Sequence, residues 1–417
     1  MPRLRSLVPN WVCVTIYGAS FFGLFPFLFK DLRYSFYYRN PFHNSSVEMT
    51  YHLRQNDLRV AAASQFWSSV LHNNVSLDHT NPLTKNQQDV DIDVMIITTT
   101  RRGQLLQEYK PKFLSQILWQ FFLILNGTET RALPWKISLS VCNVDSKGHE
   151  EASNFSSFVR YFQRYLVEPE GLAQVNIKEK EKQDYAFCLE QSLKSNPRYT
   201  LLVEDDAFPH PQLFYILYYV LEIRRIEMFS HVPPSDVLFY KLYHPERLLG
   251  FWSLSPERIS QLISFAVVAG SCATFVLNLI ISYSKKLRSF QSRIYVIWLW
   301  AVIYFLLTAI AISRQHLIEI QYLSRRLFTV TPTPSCCTPG MLFVADRAQH
   351  WLHYMQNHTC REDYGKDIML DYYLHKYNVK GLFIQPNLFV HIGFFSTLSE
   401  KFLHPSLMYY PYWFELL

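Results

Sequence analysis

The chain is 417 residues long, carries a formal net charge of +6 and devotes 16% of its positions to aromatic residues. That length holds two or three average domains once hydrophobic runs are set apart. The modest charge, with no extended basic and aromatic surface, excludes nucleic acid as a partner.

The first element, Trp11 to Phe29, is apolar almost throughout and close to the ~20 residues that span a bilayer. Arg3 and Arg5 precede it, and it runs out through Phe25-Pro26-Phe27-Leu28-Phe29 with no small-residue cleavage site, so it reads as a retained signal anchor. Residues 1–10 are then a cytosolic tail, and residues 30–90 a polar lumenal stem with helical potential from Val47 to Leu71.

After the stem the pattern changes to strands separated by helices. Val94 to Thr99 reads as a strand, Phe113 to Leu125 as a helix with an apolar face, and Ile137 to Cys142 as a second strand. A charged helix from Glu179 through Leu193 leads into Tyr199-Thr200-Leu201-Leu202-Val203, a buried strand that ends in Glu204, Asp205 and Asp206. A helix from Gln212 to Glu227 and a strand from Val237 to Leu242 follow. This alternation predicts an α/β sheet covered by helices.

Two further apolar runs, Ile259 to Tyr283 and Ile294 to Ile312, interrupt the pattern as a transmembrane hairpin. Their connection, residues 284–293, has four basic residues and no acid, which places it in the cytosol. The segments 30–258 and 313–417 then face the lumen, and all five sequons, at Asn44, Asn74, Asn126, Asn154 and Asn357, fall within them. Beyond the hairpin come an amphipathic stretch to Arg326, a proline-threonine loop at Thr331-Pro332-Thr333-Pro334, a strand at Gly340 to Val344, a helix from Asp367 to His375, and extended segments at Gly381 to Pro386 and Leu388 to His391.

Cys13 and Cys272 lie in spans, leaving Cys142, Cys188, Cys336, Cys337 and Cys360 in a compartment that permits disulfides. Cys142 is expected to pair with Cys188, and one of Cys336 and Cys337 with Cys360.

Three adjacent carboxylates at a strand end repel one another unless they are solvated or neutralised. Two readings of Glu204, Asp205 and Asp206 follow: a solvated acidic turn, or ligands to magnesium or manganese at the carboxyl end of an α/β sheet, where a nucleotide diphosphate shares the cation. His391, leaving an apolar strand beside Gly393, is either a further metal ligand or a buried histidine bonded to backbone. Asp367 stands at a helix start, as a cap or as the base that takes a proton from an attacking sugar hydroxyl. Thr99 and Arg101 occupy the position after the first strand where a nucleotide base or ribose rests, and Thr338, Pro339 and Gly340 form a loop with the polarity of a ligand lining or of a structural turn.

Glu179 to Tyr185, Val203 to Ala207, Lys241 to Leu248, Cys336 to Pro339, Gly365 to Asp367 and Pro386 to Gly393 together resemble, in order and spacing, the Golgi GPI-glycan N-acetylgalactosaminyltransferases, whose catalytic domain contains tandem transmembrane segments. The resemblance implies a GT-A-like glycosyltransferase domain in two parts, 91–258 and 313–417, split by the transmembrane helices 259–283 and 294–312 and anchored by 11–29. It implies manganese as cofactor and UDP-GalNAc as donor, and carries over to Glu204, Asp205 and Asp206, as metal ligands and donor contacts, and to the donor loop Thr338, Pro339 and Gly340. His391 as a fourth metal ligand rests on its own place in the sequence, and Thr99 and Arg101 as donor contacts on their position after the first strand alone, where the chain departs from the family's pattern. The resemblance further implies transfer with inversion to the first mannose of a GPI-anchor glycan in the Golgi, with Asp367 and Asp206 as catalytic residues. The competing expectations are an enzyme like N-acetylglucosaminyltransferase IV, acting on N-glycans, and a noncatalytic membrane scaffold whose acids serve a structural ion.

Overall fold

The computed structural model describes residues 10–38, 45–72, 90–101, 110–146, 148–166, 176–224, 233–251, 255–283, 293–396, 401–404 and 407–415. Arg3 and Arg5, the sequon residues Asn44 and Asn74, residues 284–292 of the cationic connection and the end of the expected Gln212–Glu227 helix lie outside the described residues.

The chain divides into two compact units, Met1–His43 with Pro245–Leu323, and Asn44–His244 with Ser324–Leu417. In the first, three helices are long and apolar enough to cross a membrane: Trp11–Leu28, Pro256–Tyr283 and Ile294–Ile312. The last two form the hairpin, and a Cβ at Gly270 would stand 2.8 Å from the backbone nitrogen of Val302. Close approach of this kind suits helices in lipid, where small residues let backbones meet. Tyr304 of the hairpin donates a hydrogen bond to Ser20 of the N-terminal span at 2.9 Å. Past the hairpin, the buried Arg314 donates to Gln261 and to the Leu249 carbonyl, and Gln315 donates to the Glu246 carbonyl. These bonds satisfy polar groups that would otherwise be buried at a cost.

The second unit is mixed α/β. In chain order it contains α1 (Ser45–His72), β1 (Ile92–Thr98), α2 (Phe113–Asn126), β2 (Ile137–Asn143), β3 (Arg160–Gln163), α3 (Ile177–Leu193), β4 (Tyr199–Glu204), β5 (Ala207–Pro209) and β6 (Val237–Lys241). After the membrane segments follow β7 (Thr329–Pro332), β8 (Gly340–Val344), α4 (Ala345–Asn357), α5 (Lys366–Tyr377), β9 (Lys380–Gln385) and β10 (Phe389–His391). Eight strands form one sheet in the order β3-β2-β1-β4-β8-β6-β9-β7. The sheet is mostly parallel: β1 pairs in parallel with both β2 and β4, whereas β8 runs antiparallel between β4 and β6, and β7 antiparallel on the β9 edge. The membrane hairpin is therefore inserted in the chain between β6 and β7, and strands from both sides of the insertion complete one sheet.

Helices α3, α4 and α5 cover one face, where Leu189, Trp351, Met355, Met369 and Tyr373 pack against Met95, Leu202, Phe239 and Phe343. Burial of each such side chain contributes roughly 1.5–3 kcal/mol. Cys142 and Cys188 are joined, tying β2 to α3 as expected.

Three expectations change. Cys336 bonds to its neighbour Cys337, and Cys360 is a buried free thiol, because Cys360 lies in the core under α3 and α4 while the pair sits in the β7–β8 turn. Both residues of the pair have positive φ, 70° and 68°. Residues Thr331 and Pro332, expected in a loop, belong to β7, where an edge position tolerates a proline that cannot donate to a ladder. The supposed stem includes α1, docked on α2: Ala63, Trp67 and Val70 form a buried stripe at helical spacing, the Trp67 ring stands edge-on to Phe122 at 5.0 Å, and Trp67 Nε1 donates to the Ser115 carbonyl.

Candidate active site

The acidic triplet begins at the end of β4, next to the end of β1, with Glu204 opposite Ile97 in parallel register. The Asp205 N–H continues the ladder to the Ile97 carbonyl at 3.1 Å, and the Glu204 N–H donates to the Pro339 carbonyl at 2.9 Å. Strand pairing thus carries the three acids past the carboxyl ends of two central parallel strands, the usual ligand position in such sheets. There they border a cavity of about 610 Å³, whose lining includes Thr99, Arg101, Tyr185, Glu204, Lys366 and His391.

His391 reaches this place by way of a short antiparallel ladder. Strand β10 pairs with β5 so that His391 lies opposite Ala207, and the Ile392 N–H donates to the Asp206 carbonyl at 2.8 Å. His391 Nε2 is then 3.5 Å from Asp206 Oδ2. Gly393 is packed so closely here that a Cβ would come within 2.2 Å of the same oxygen.

The carboxylates are neutralised by arginine. Arg101 spans both aspartates, with Nη1 donating to Asp205 Oδ1 at 2.8 Å and Nη2 to Asp206 Oδ2 at 2.6 Å. The other Asp205 oxygen accepts from Thr98 at 2.6 Å. Burial alone would raise the Asp206 pKa, but the charges of His391 and Arg101, with the hydrogen bond from Arg101, hold it below the usual carboxylate value. Asp206 Oδ1 is buried with no hydrogen-bond partner.

Glu204 faces a different neighbour. Its side chain is 35% exposed and lies 4.0 Å from the Lys366 ammonium, which also bonds Glu181. Burial of the carboxyl, followed by the negative charges of Asp206, Glu181 and Asp367, raises its pKa against the pull of Lys366. Lys366 is itself buried, yet the acids around it keep its pKa above the ordinary value, so it stays charged.

Asp367 heads α5 beside this cavity rather than in its lining. Its Oδ2 accepts from the Cys337 N–H at 2.8 Å, while Oδ1 is buried and unpartnered. The neighbouring Lys241 is buried, which pulls its pKa down to about 8, and donates to the carbonyls of Pro334 and Cys336. Thr338, Pro339 and Gly340 are backing rather than lining: Thr338 is buried, and the carbonyls of Pro339 and Gly340 serve Glu204 and Leu242.

Of the residues singled out in the sequence, Thr99, Arg101, Glu204, Asp205, Asp206 and His391 meet at one cavity. Thr98, Lys366 and Tyr185 join them without having been singled out individually. The signal for Thr98 was its place at the end of β1, and that for the other two lay in the charged stretches Glu179 to Tyr185 and Gly365 to Asp367.

Among the described residues no three His, Cys, Asp or Glu side chains are grouped as a metal shell. The donors do suit a leaner site. Asp206 Oδ1 is an orphaned buried acceptor and His391 supplies a nearby ring nitrogen, and manganese-like cations on nucleotides commonly take one or two protein ligands, with phosphate and water completing the shell. Asp205, with both oxygens engaged, and Glu204, turned towards Lys366, stand outside that pair. The profile of a protein family described as GPI-N-acetylgalactosamine transferase PGAP4 matches residues 92–390, which is more than half of the chain.

Proposed function

Since the chain belongs to the GPI-N-acetylgalactosamine transferase family, we propose that it transfers GalNAc from UDP-GalNAc, with inversion, to the first mannose of a GPI-anchor glycan in the Golgi lumen. The domain is read as GT-A-like, with residues 91–258 and 313–417 as its two parts. The observation that carries this reading is the meeting of Glu204, Asp205, Asp206, Arg101 and His391 at one cavity beyond β1 and β4.

In the proposed reaction a mannose hydroxyl attacks the anomeric carbon, the bond to the diphosphate breaks, and UDP leaves. Asp367 keeps the role of base that the resemblance implies for it: it stands beside the cavity, its Oδ2 is fixed by the Cys337 N–H, and its Oδ1 is left without a partner. Arg101 and Lys366 provide fixed positive charge around a departing diphosphate. Asp206 and His391 would hold manganese, whose chemistry when bound is to neutralise that diphosphate. Thr99, after β1, borders the end of the cavity assigned to the nucleoside.

The test uses the full-length enzyme in detergent, with UDP-GalNAc and a mannose-terminated GPI glycan. The reading expects transfer of one HexNAc, at least hundredfold slower in Asp206→Asn and Asp367→Asn proteins that melt as the wild type does. Equal use of UDP-GlcNAc, or full activity in both variants, would contradict it.

A further inference from the structure

Tyr185 has no part in the reaction outlined above, yet its surroundings are those of a ligand contact. It sits on α3 with 5% of its surface exposed and borders the cavity. Its hydroxyl is buried and has no hydrogen-bond partner. An orphaned buried hydroxyl is a net penalty unless something else satisfies it. The ring is well fixed, edge-on to Phe343 at 6.4 Å and capped by the Lys366 ammonium 5.5 Å from its centroid. The hydroxyl's place is therefore set by packing rather than by a polar partner within the protein.

The environment also selects what the hydroxyl can meet. Burial first, and then the negative charges of Glu204 and Asp367, keep the Tyr185 hydroxyl in its protonated, donating form. A neutral sugar oxygen is a good partner for such a donor. A hydroxyl suits better than a carbonyl, because it can accept from Tyr185 and donate its own proton to a neighbouring carboxylate.

We propose that Tyr185 is a sugar-contacting residue of the transfer site, its phenolic O–H donating to a hydroxyl of a bound pyranose. The proposal rests on the functional reading above. Two pyranoses meet in that reaction, the transferred sugar and the acceptor mannose, and kinetics separates them.

Tyr185→Phe keeps the ring and removes only the hydroxyl. The measurements on the full-length enzyme are KM for UDP-GalNAc, KM for the acceptor, the slow hydrolysis of UDP-GalNAc without acceptor, and thermal protection by UDP alone. Loss of one hydrogen bond is expected to raise one KM about tenfold, or about 1.4 kcal/mol, while protection by UDP stays at the wild-type level. A raised donor KM with slower hydrolysis identifies the transferred sugar; a raised acceptor KM with unchanged hydrolysis identifies the mannose. Either supports the proposal. Both KM values within twofold of wild type would overturn it, as would an equal loss of protection by UDP, which would place the effect on the nucleotide or the fold. If the wild type neither hydrolyses UDP-GalNAc nor transfers from it, the functional reading falls and the proposal with it; wild-type turnover with an indistinguishable variant removes the proposal alone.

Discussion

Gly393→Ala tests whether the placement of Asp206 is as exacting as the packing implies. The added Cβ would stand 2.2 Å from Asp206 Oδ2, 2.8 Å from its Cγ and 3.0 Å from its Cβ. Ordinary contact needs more than 1 Å of further separation at the oxygen. The carboxylate cannot swing aside freely, because it is buried and its Oδ2 is bonded to Arg101 at 2.6 Å. Retreat of the β10 end is opposed by the Ile392 N–H bond to the Asp206 carbonyl. Overpacking of this kind costs about 1–3 kcal/mol of stability. A shift of about 1 Å at a reacting centre costs on the order of a hundredfold in rate. The assay compares kcat/KM and melting temperature for wild type, Gly393→Ala and Gly393→Ser. Activity should fall about a hundredfold in Gly393→Ala and no less in Gly393→Ser, with a modest drop in melting temperature. Wild-type kcat/KM in the alanine variant would refute the claim that Gly393 holds the carboxylate in place.

Arg101→Gln leaves Asp205 and Asp206 without their shared cation, and removing one partner of a buried ion pair costs about 3–5 kcal/mol. Because Arg101 helps to depress the Asp206 pKa, the acid limb of the kcat/KM profile should move to higher pH; an unmoved limb in a folded variant would count against ionised Asp206 as the working form. His210 is buried and neutral, with its pKa pulled down to about 3, while Nδ1 accepts from the Gln212 N–H. The unfolded chain therefore binds a proton that the folded one does not between about pH 6.5 and 3, so stability should fall on acidification below pH 6.5, by at most ~1.4 kcal/mol per pH unit from this group. Melting curves of His210→Asn should be flatter over that window, and an identical slope would assign the acid loss elsewhere. Gly270→Leu should separate the hairpin helices, lowering the yield of detergent-stable protein, since even a Cβ there meets the Val302 backbone at 2.8 Å.

Much of the fold was legible because its signals are local. Strands β1, β2, β4, β6, β8 and β9 and helix α2 follow from apolar runs and their periods, α3 from its run of alternating charges, and the spans from hydropathy and length. The triplet's place at a sheet's carboxyl edge also followed from the strand before it. What escaped depends on long-range pairing. The reversed strand β8 has the same apolar run as a parallel neighbour, so nothing in it discloses its direction or its place between β4 and β6. The Arg101 clamp joins residues 104 positions apart, and no local signal discloses that it and Thr98 engage both oxygens of Asp205. The Cys336–Cys337 bond was missed because adjacent cysteines rarely close on each other; both residues adopt positive φ here. Tyr185 looked like one more aromatic in a charged helix, and only burial of its hydroxyl without a partner sets it apart.

The most direct test of the central claim is mass spectrometry of GPI glycans released from cells lacking this chain, and from the same cells restored with wild type or Asp206→Asn. The account predicts that the HexNAc branch on the core glycan disappears in the deficient cells, returns with wild type and stays absent with the variant. An unchanged HexNAc branch, or a change confined to N-glycan branching, would contradict it.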